Sequence, residues 1–494
     1  RACTPLGASS PSAARRGAQG ATRAMTLRAA KRLRVCGAAE DAAGLELGDE
    51  LRVPGLVCRD LWLDVPLDHG AADGGGRRIR LYAREVVSHD KVASRESLPA
   101  LCFLQGGPGF ESPRPTEASG WLKSAAAEHR VVLLDQRGTG RSAAITVQQL
   151  ARDFPGDAAA QAAYVARFRA DAIVDDAEAL RRALLGEGSK WSTLGQSYGG
   201  FCTCVYLSKY PSSLSACYVT GGLPPVDAGC TARAVYTALF HRVRRQCDKF
   251  YARFPHHEGT VQRVVGHLVS KGGSVPLPGG GVLSVRGFQM LGLKLGSQPG
   301  IESFSYMLET AFDGDDELSY AFLRAFENFV PFCINPLYYL LHEAIYCSGP
   351  GEASSWACQA VLDEDPETSR LHDAAARAAA GERVYLTGEM VFPYMLAELP
   401  ALQPLKEVAE YLARKEDWEQ LYDEEALARN EVPVAACAYT EDMYVEHDLS
   451  QETATKIKGL RLMSTSEYQH NGLRMDVRIF DRLRAMASNE VPLF

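Results

Sequence analysis

The sequence predicts an α/β architecture: a mostly parallel central sheet flanked by helices, with a large helical cap inserted in the sheet domain. Three observations carry this expectation. Short continuous apolar runs alternate with amphipathic stretches through the first half of the chain, as buried parallel strands and covering helices do. One run, from Trp191, leads into Gly195-Gln-Ser197-Tyr-Gly199 and then into a helix-like stretch, 201–210, that stops before Pro211. From about Asp227 to Asn430 buried-strand runs almost vanish and long helical segments replace them, before strand runs return at Glu431. The expected organisation is a leader or disordered tail over 1–40, sheet domain over 41–226, cap over 227–430 and the rest of the sheet domain over 431–494.

Bulk properties narrow the function classes. The chain has 494 residues, 46% hydrophobic and 23% charged, with a formal net charge of −8. A negative chain without a basic stripe argues against nucleic acid as a main partner. No apolar run reaches the roughly 18–20 residues that span a bilayer, so no membrane partner is expected. The 13 cysteines are scattered, odd in number and without Cys-x-x-Cys or zinc-ligand spacing, which fits small buried side chains in a reducing compartment and no metal site. Residues 1–39 hold no Asp or Glu but carry Arg15, Arg16, Arg23, Arg28, Arg32 and Arg34 among many Ala and Ser. That composition reads as an organelle transit peptide, for a chloroplast or a mitochondrion, with a cytoplasmic protein bearing a basic tail as the alternative.

Taken in order, 56–65 and 79–87 read as strands joined by the Gly-rich turn 70–76. The run 98–104 reads as a buried strand and ends in Gln105-Gly-Gly107-Pro-Gly109-Phe110. Such a loop lets backbone N–H groups approach a ligand. The run 130–134 is a further buried strand, followed by Asp135-Gln-Arg137-Gly-Thr-Gly140-Arg-Ser142, which lacks the spacing of a phosphate loop. Its Asp/Arg pair is expected to fix the loop by internal hydrogen bonds. Residues 171–185 have helical spacing, and Gly186 suits the C-cap.

The serine sits where a strand turns sharply into a helix. Glycines on either side, Gly195 and Gly199, give the turn room, and the hydroxyl is held out where a base can reach it. Alone the pattern is weak, since chance supplies a match in roughly one chain in four of this composition and length. Its context is stronger. Hydrolases with this turn carry a triad in the chain order Ser, then Asp or Glu, then His, each after a strand. The strand run 431–439 ends at Thr440-Glu441-Asp442, and the run 460–464 ends near His470. Ser197, Asp442 and His470 meet that order, with Glu441 and His447 as weaker competitors. The oxyanion donors would be the N–H groups of Tyr198 and of Gly107, or Gly106 in its place.

Gln105-Gly-Gly-Pro-Gly109, Asp135-Gln-Arg-Gly-Thr-Gly-Arg-Ser142 and Gly195-Gln-Ser-Tyr-Gly-Gly200, in this order, resemble the proline iminopeptidase (prolyl aminopeptidase) family of α/β-hydrolase serine peptidases. The resemblance covers roughly 56–226 and resumes near the C-terminus. It implies an α/β-hydrolase fold, an acyl-enzyme mechanism without cofactor, and release of an N-terminal proline, or a similar small residue, from peptides with a free N-terminus. It also implies cap glutamates for the substrate amine. Glu343 in Leu341-His-Glu-Ala-Ile-Tyr-Cys347 matches that pattern better, and Glu389 in Leu386-Thr-Gly-Glu-Met-Val-Phe-Pro-Tyr394 is second. Tyr346, Phe392, Trp356 and Tyr394 are candidates for a proline pocket. Cap helices are expected over 232–254, 259–271, 301–312, 317–329 and 402–427, and the basic cluster Arg242-Val-Arg-Arg245 reads as a solvated helix face. Two other readings stand beside this one: an esterase or acyl hydrolase with the same triad, and a non-catalytic hydrolase-fold protein that binds a ligand.

Overall fold

Apolar runs without alternation need both faces of a sheet covered, and the fold supplies this. The computed structural model describes residues 44–71, 76–227, 229–314, 317–329, 332 and 334–490. The segment 1–40 and the centre of the turn 70–76 lie outside them. β1 (Glu46–Val53), β2 (Leu56–Pro66) and β3 (Arg78–Ser88) form an antiparallel meander. β4 (Ala100–Leu104), β5 (Arg130–Asp135), β6 (Trp191–Gln196) and β7 (Leu214–Thr220) follow. Two small hairpins stand apart: β8 (Ser274–Pro276) with β9 (Val282–Ser284), and β10 (Phe312–Asp313) with β11 (Glu317–Leu318). β12 (Val434–Tyr439) and β13 (Leu460–Thr465) complete the main sheet, whose order is β1-β2-β3-β5-β4-β6-β7-β12-β13.

From β5 to β13 every neighbouring pair is parallel, while β3 meets β5 antiparallel. The alternation of strand side chains divides the core in two. Leu101, Phe103, Val131 and Leu133 pack on one face, and Cys102, Leu104, Val132 and Leu134 on the other. Because β4 lies between β5 and β6, the loops that leave β4 and β6 border one crevice at the C-terminal ends of the strands, where open α/β sheets place their sites.

Between β7 and β12 the chain is mostly helical, with helices Ala232–Arg253, His257–Ser270, Gly300–Glu309 and Tyr320–Phe329. These helices share one apolar core with the sheet, in which Leu104 and Phe201 belong to the same cluster as Tyr236 and Tyr346. No helix among the described residues is long and apolar enough to cross a membrane.

Several expectations change. The stretch 402–427 is no single helix: a short turn at Gln403–Leu405 leads to Lys406–Ala413, and Glu424–Ala428 forms separately. The segment between is held open by tertiary contacts that a helix would forbid. Gly351 N–H donates to the Glu416 carbonyl at 2.7 Å, Leu421 N–H to Ser348 at 2.8 Å, and the buried Arg169 guanidinium to Glu419 at 2.6 Å. Arg242 is not solvated; it is 7% exposed and pairs with Glu446 at 2.6 Å and Asp448 at 3.0 Å, which ties a cap helix to the loop after β12. Asp135 and Arg137 do fix their loop, but not with each other. Asp135 takes Arg114 and the Ser112 and Arg141 N–H groups, while Arg137 forks onto Asp176 at 2.5 and 2.7 Å. Strand β1, polar and largely exposed, carries no apolar signal in the sequence.

Candidate active site

The turn after β6 is strained by design of its sequence. Ser197 has φ 57° and ψ −127°, a conformation that costs a non-glycine residue about 1–3 kcal/mol. Hydrogen bonds lock it: Ser197 N–H donates to Thr220 at 2.9 Å, and Gly200 N–H donates to the Ser197 carbonyl at 2.7 Å. The flanking glycines are there for space. A Cβ on Gly195 would lie 2.3 Å from the Gly199 carbonyl oxygen, and one on Gly199 would lie 1.9 Å from that of Leu104. Tyr198 opens the helix Tyr198–Lys209, so its N–H belongs to the first turn, which has no intrahelical acceptor.

The loop after β4 passes directly over this serine. A Cβ on Gly106 would meet the Ser197 Cβ at 2.8 Å, and Gly107 adopts φ +132°. The structure therefore brings Gly106, Gly107, Ser197 and Tyr198 together.

His470 and Asp442 arrive from the loops after β13 and β12. His470 Nδ1 donates to Asp442 Oδ2 at 2.7 Å, which leaves Nε2 toward the turn, 3.5 Å from the Gln196 amide nitrogen. Asp442 is 1% exposed, and its Oδ1 accepts from the N–H groups of Tyr444 at 2.9 Å and Val445 at 3.1 Å. Burial works against a charged His470. The Asp442 charge and hydrogen bond, aided by Glu389, outweigh that burial and the opposing Arg474, and the imidazole pKa lies above its ordinary value. The competitors are engaged elsewhere: His447 Nε2 meets Ser464 Oγ at 2.7 Å, and Glu441 pairs with Arg245 and Lys249.

Beside the Asp442–His470 pair lies a cleft of about 530 Å³. Phe110, Phe329, Tyr338 and Tyr444 supply aromatic wall, and Glu389, Lys294 and Arg474 supply charge. Tyr444 packs edge-on against His470 with ring centres 4.8 Å apart, and Phe110 lies three residues past Gly107. Glu389 is half-buried; its Oε1 accepts from the Tyr338 hydroxyl at 2.7 Å, and its backbone carbonyl contacts His342 Nε2 at 3.1 Å.

The other cap candidates sit elsewhere. Glu343 is 5% exposed and caps the helix Ala357–Glu364, accepting from Ala357 and Cys358 N–H at 3.1 Å each. Burial pushes its pKa up to about 7, against the hydrogen bonds it accepts. Tyr346 is buried between Phe201 and Tyr236, and Phe392 is fully buried against Tyr394, whose hydroxyl donates to the Arg286 backbone carbonyl. Trp356, partly buried, packs on Tyr339. None of these five lines the cleft. The wall residues Phe110, Phe329, Tyr338 and Tyr444 escape sequence reasoning because they come from four separate segments. Only Phe110, at the end of the Gly-rich loop, carries a local signal.

Comparison with known proteins adds to this geometry. A family model described as alpha/beta hydrolase fold matches residues 99–250. A proline iminopeptidase from Aeromonas sobria is 45% identical over 430 residues, covering 87% of this chain and 96% of its own length. Proline iminopeptidase aneH from Aspergillus aculeatus is 37% identical over 433 residues, covering 85% and 91%. Among solved structures, a 2-hydroxy-6-oxo-6-phenylhexa-2,4-dienoate hydrolase from Rhodococcus sp. strain RHA1 overlays with a TM-score of 0.37 at 14% identity, over 86% of this chain and 97% of its own.

Proposed function

The chain belongs to the proline iminopeptidase family of α/β hydrolases, and on that premise we propose that it is a serine aminopeptidase releasing N-terminal proline from peptides. The observation that carries this beyond a generic hydrolase is the half-buried Glu389 carboxylate, set in the cleft next to the Asp442–His470 pair. A substrate with a free amine brings a cation that such a carboxylate pairs with.

Each residue has a task. Neutral His470 takes the Ser197 proton on Nε2 as Oγ attacks the proline carbonyl carbon. Asp442 holds the imidazole with Nδ1–H inward and stabilises the imidazolium. The N–H groups of Gly107 and Tyr198 stabilise the oxyanion, and Gly106 allows the loop to approach. His470 then gives its proton to the leaving amine nitrogen, the C–N bond breaks, and the prolyl group stays on Oγ until water, deprotonated by His470, releases it. Glu389 pairs with the proline ammonium, Tyr338 orients that carboxylate, and Phe110 with Tyr338 offers an apolar face to the ring. Glu343 acts from behind, fixing the helix that starts at Ala357.

The test is hydrolysis of a prolyl chromogenic amide beside its N-acetylated form. Turnover of the free amine alone, lost in Ser197→Ala, is expected; equal turnover of the blocked substrate would favour an esterase or acyl hydrolase and sink this reading. The acid-free, arginine-rich residues 1–39 support import into a chloroplast or mitochondrion. A fluorescent protein fused behind residues 1–45 that stays in the cytosol would refute that.

A further inference from the structure

The cleft holds two cations that the aminopeptidase reading leaves without a task. Among the described residues Arg474 and Lys294 form no ion pair. Arg474 Nη2 reaches only Gln105 Oε1, at 3.3 Å, and Lys294 Nζ lies 4.1 Å from the centre of the Phe329 ring. A cation in a concave wall loses hydration, and a nearby carboxylate ordinarily compensates. Here none does: Lys294 is half-buried and that burial pulls its ammonium below its ordinary pKa, while Arg474 is exposed and its guanidinium has no carboxylate partner.

Their position on the backbone is specific. Arg474 follows His470 by four residues, and its guanidinium touches the first residue of the Gly-rich loop. Lys294 lies two residues before Gly296, whose carbonyl accepts the His470 N–H at 3.2 Å. Both cations thus hang on segments in contact with the general acid. His470 must deliver its proton to the departing nitrogen, so the leaving residue sits beside it when the C–N bond breaks. When that residue is the last of the peptide, its α-carboxylate is one Cα away from the same nitrogen.

We infer that Arg474 and Lys294 form a subsite for the C-terminal carboxylate of the leaving fragment, so that the cleft, negative at Glu389 and positive at these two residues, favours dipeptides and other very short peptides with both ends free. This rests on the aminopeptidase reading. Each added residue carries the carboxylate roughly 3.5 Å further out, so the preference fades as the peptide lengthens.

The experiment compares prolyl-alanine with its C-terminal amide in the full chain, reading the ratio of kcat/KM for acid over amide. The wild type should favour the acid by about tenfold or more, the equivalent of one modest ion pair. Arg474→Gln should bring that ratio close to one through KM, and Lys294→Met should lower it by a smaller factor. General damage to the enzyme cancels in the ratio. Efficient cleavage of both substrates with a ratio near one in the wild type, or a ratio untouched in both variants, overturns the subsite and leaves the aminopeptidase reading standing. A wild type that cleaves neither substrate overturns both.

Discussion

Asp442 and Glu389 are two carboxylates that His470 feels, one supplied by the sheet and one by the cap. In the sheet, every direction of Asp442 is used: His470 on one oxygen, two backbone N–H groups on the other, and 1% exposure. In the cap, Glu389 receives one tyrosine hydroxyl and keeps an open side toward the cleft. The difference separates a group that orients another side chain from one with capacity left for a ligand. Glu343 sharpens the contrast, because it is a cap residue held the way Asp442 is, by two backbone N–H groups in a buried site. Being in the cap does not make a carboxylate a binding group; unused hydrogen-bonding capacity at a cleft wall does.

The largest break in the comparison comes on the sheet side. Ser197→Ala should lower kcat by about 10⁶, and Asp442→Asn by about 10⁴ because the amide no longer fixes the imidazole tautomer, both read in steady-state turnover of a prolyl amide. An Asp442→Asn enzyme within tenfold of wild type would remove the orienting role.

On the cap side the effect belongs in KM. Glu389→Gln should raise KM for free-amine substrates by roughly 10–100-fold, as loss of a charge-assisted pair does. Glu343→Gln should raise it by less than about threefold, since its oxygens already serve a helix N-terminus. Equal effects from the two would erase the distinction between them.

Glu343 should instead show in stability. Its carboxyl is held protonated up to about 7 in the fold and only to 4.5 ordinarily. The native state therefore keeps a proton that the unfolded chain releases. Stability contributed by that proton is full below pH 4.5, is lost as pH rises to about 7 and stays flat above. Denaturant titrations of wild type and Glu343→Gln should diverge across that window by at most about 3 kcal/mol, with the variant gaining at the upper end. Parallel curves would mean that the carboxyl is ionised throughout.

The smallest effect joins the two regions. The His470 pKa lies above its ordinary value, so the acid limb of kcat/KM, where the base becomes neutral, should fall above pH 6.5. Glu389→Gln removes one of the charges that raise it and should move the limb to lower pH. An unmoved limb would show that the carboxylate does not act on the imidazole.

Most of the sheet side was legible in advance. Strand runs such as 98–104 and 130–134 became β4 and β5, and Ser197, Asp442 and His470 stand where strand ends and chain order put them. Local apolar pattern and turn chemistry suffice there, because each loop hangs from a strand whose place the pattern reveals. Arg242 and the stretch 402–427 were misread for the opposite reason. Helical spacing says nothing of a buried acid such as Glu446 two hundred residues away, or of Arg169 reaching the Glu419 carbonyl.

What the sequence by itself determined is the sheet, the serine turn and the family, all of which rest on short-range patterns that a strand or a glycine imposes on its neighbours. What only the tertiary structure decided is which charges line the cleft. Glu343 and Glu389 look alike as letters among apolar neighbours. One lies behind a helix N-terminus and the other at a cleft wall with Arg474 and Lys294, because segments far apart in the chain pack side by side. Burial and partner geometry are properties of that packing, and no local spacing encodes them.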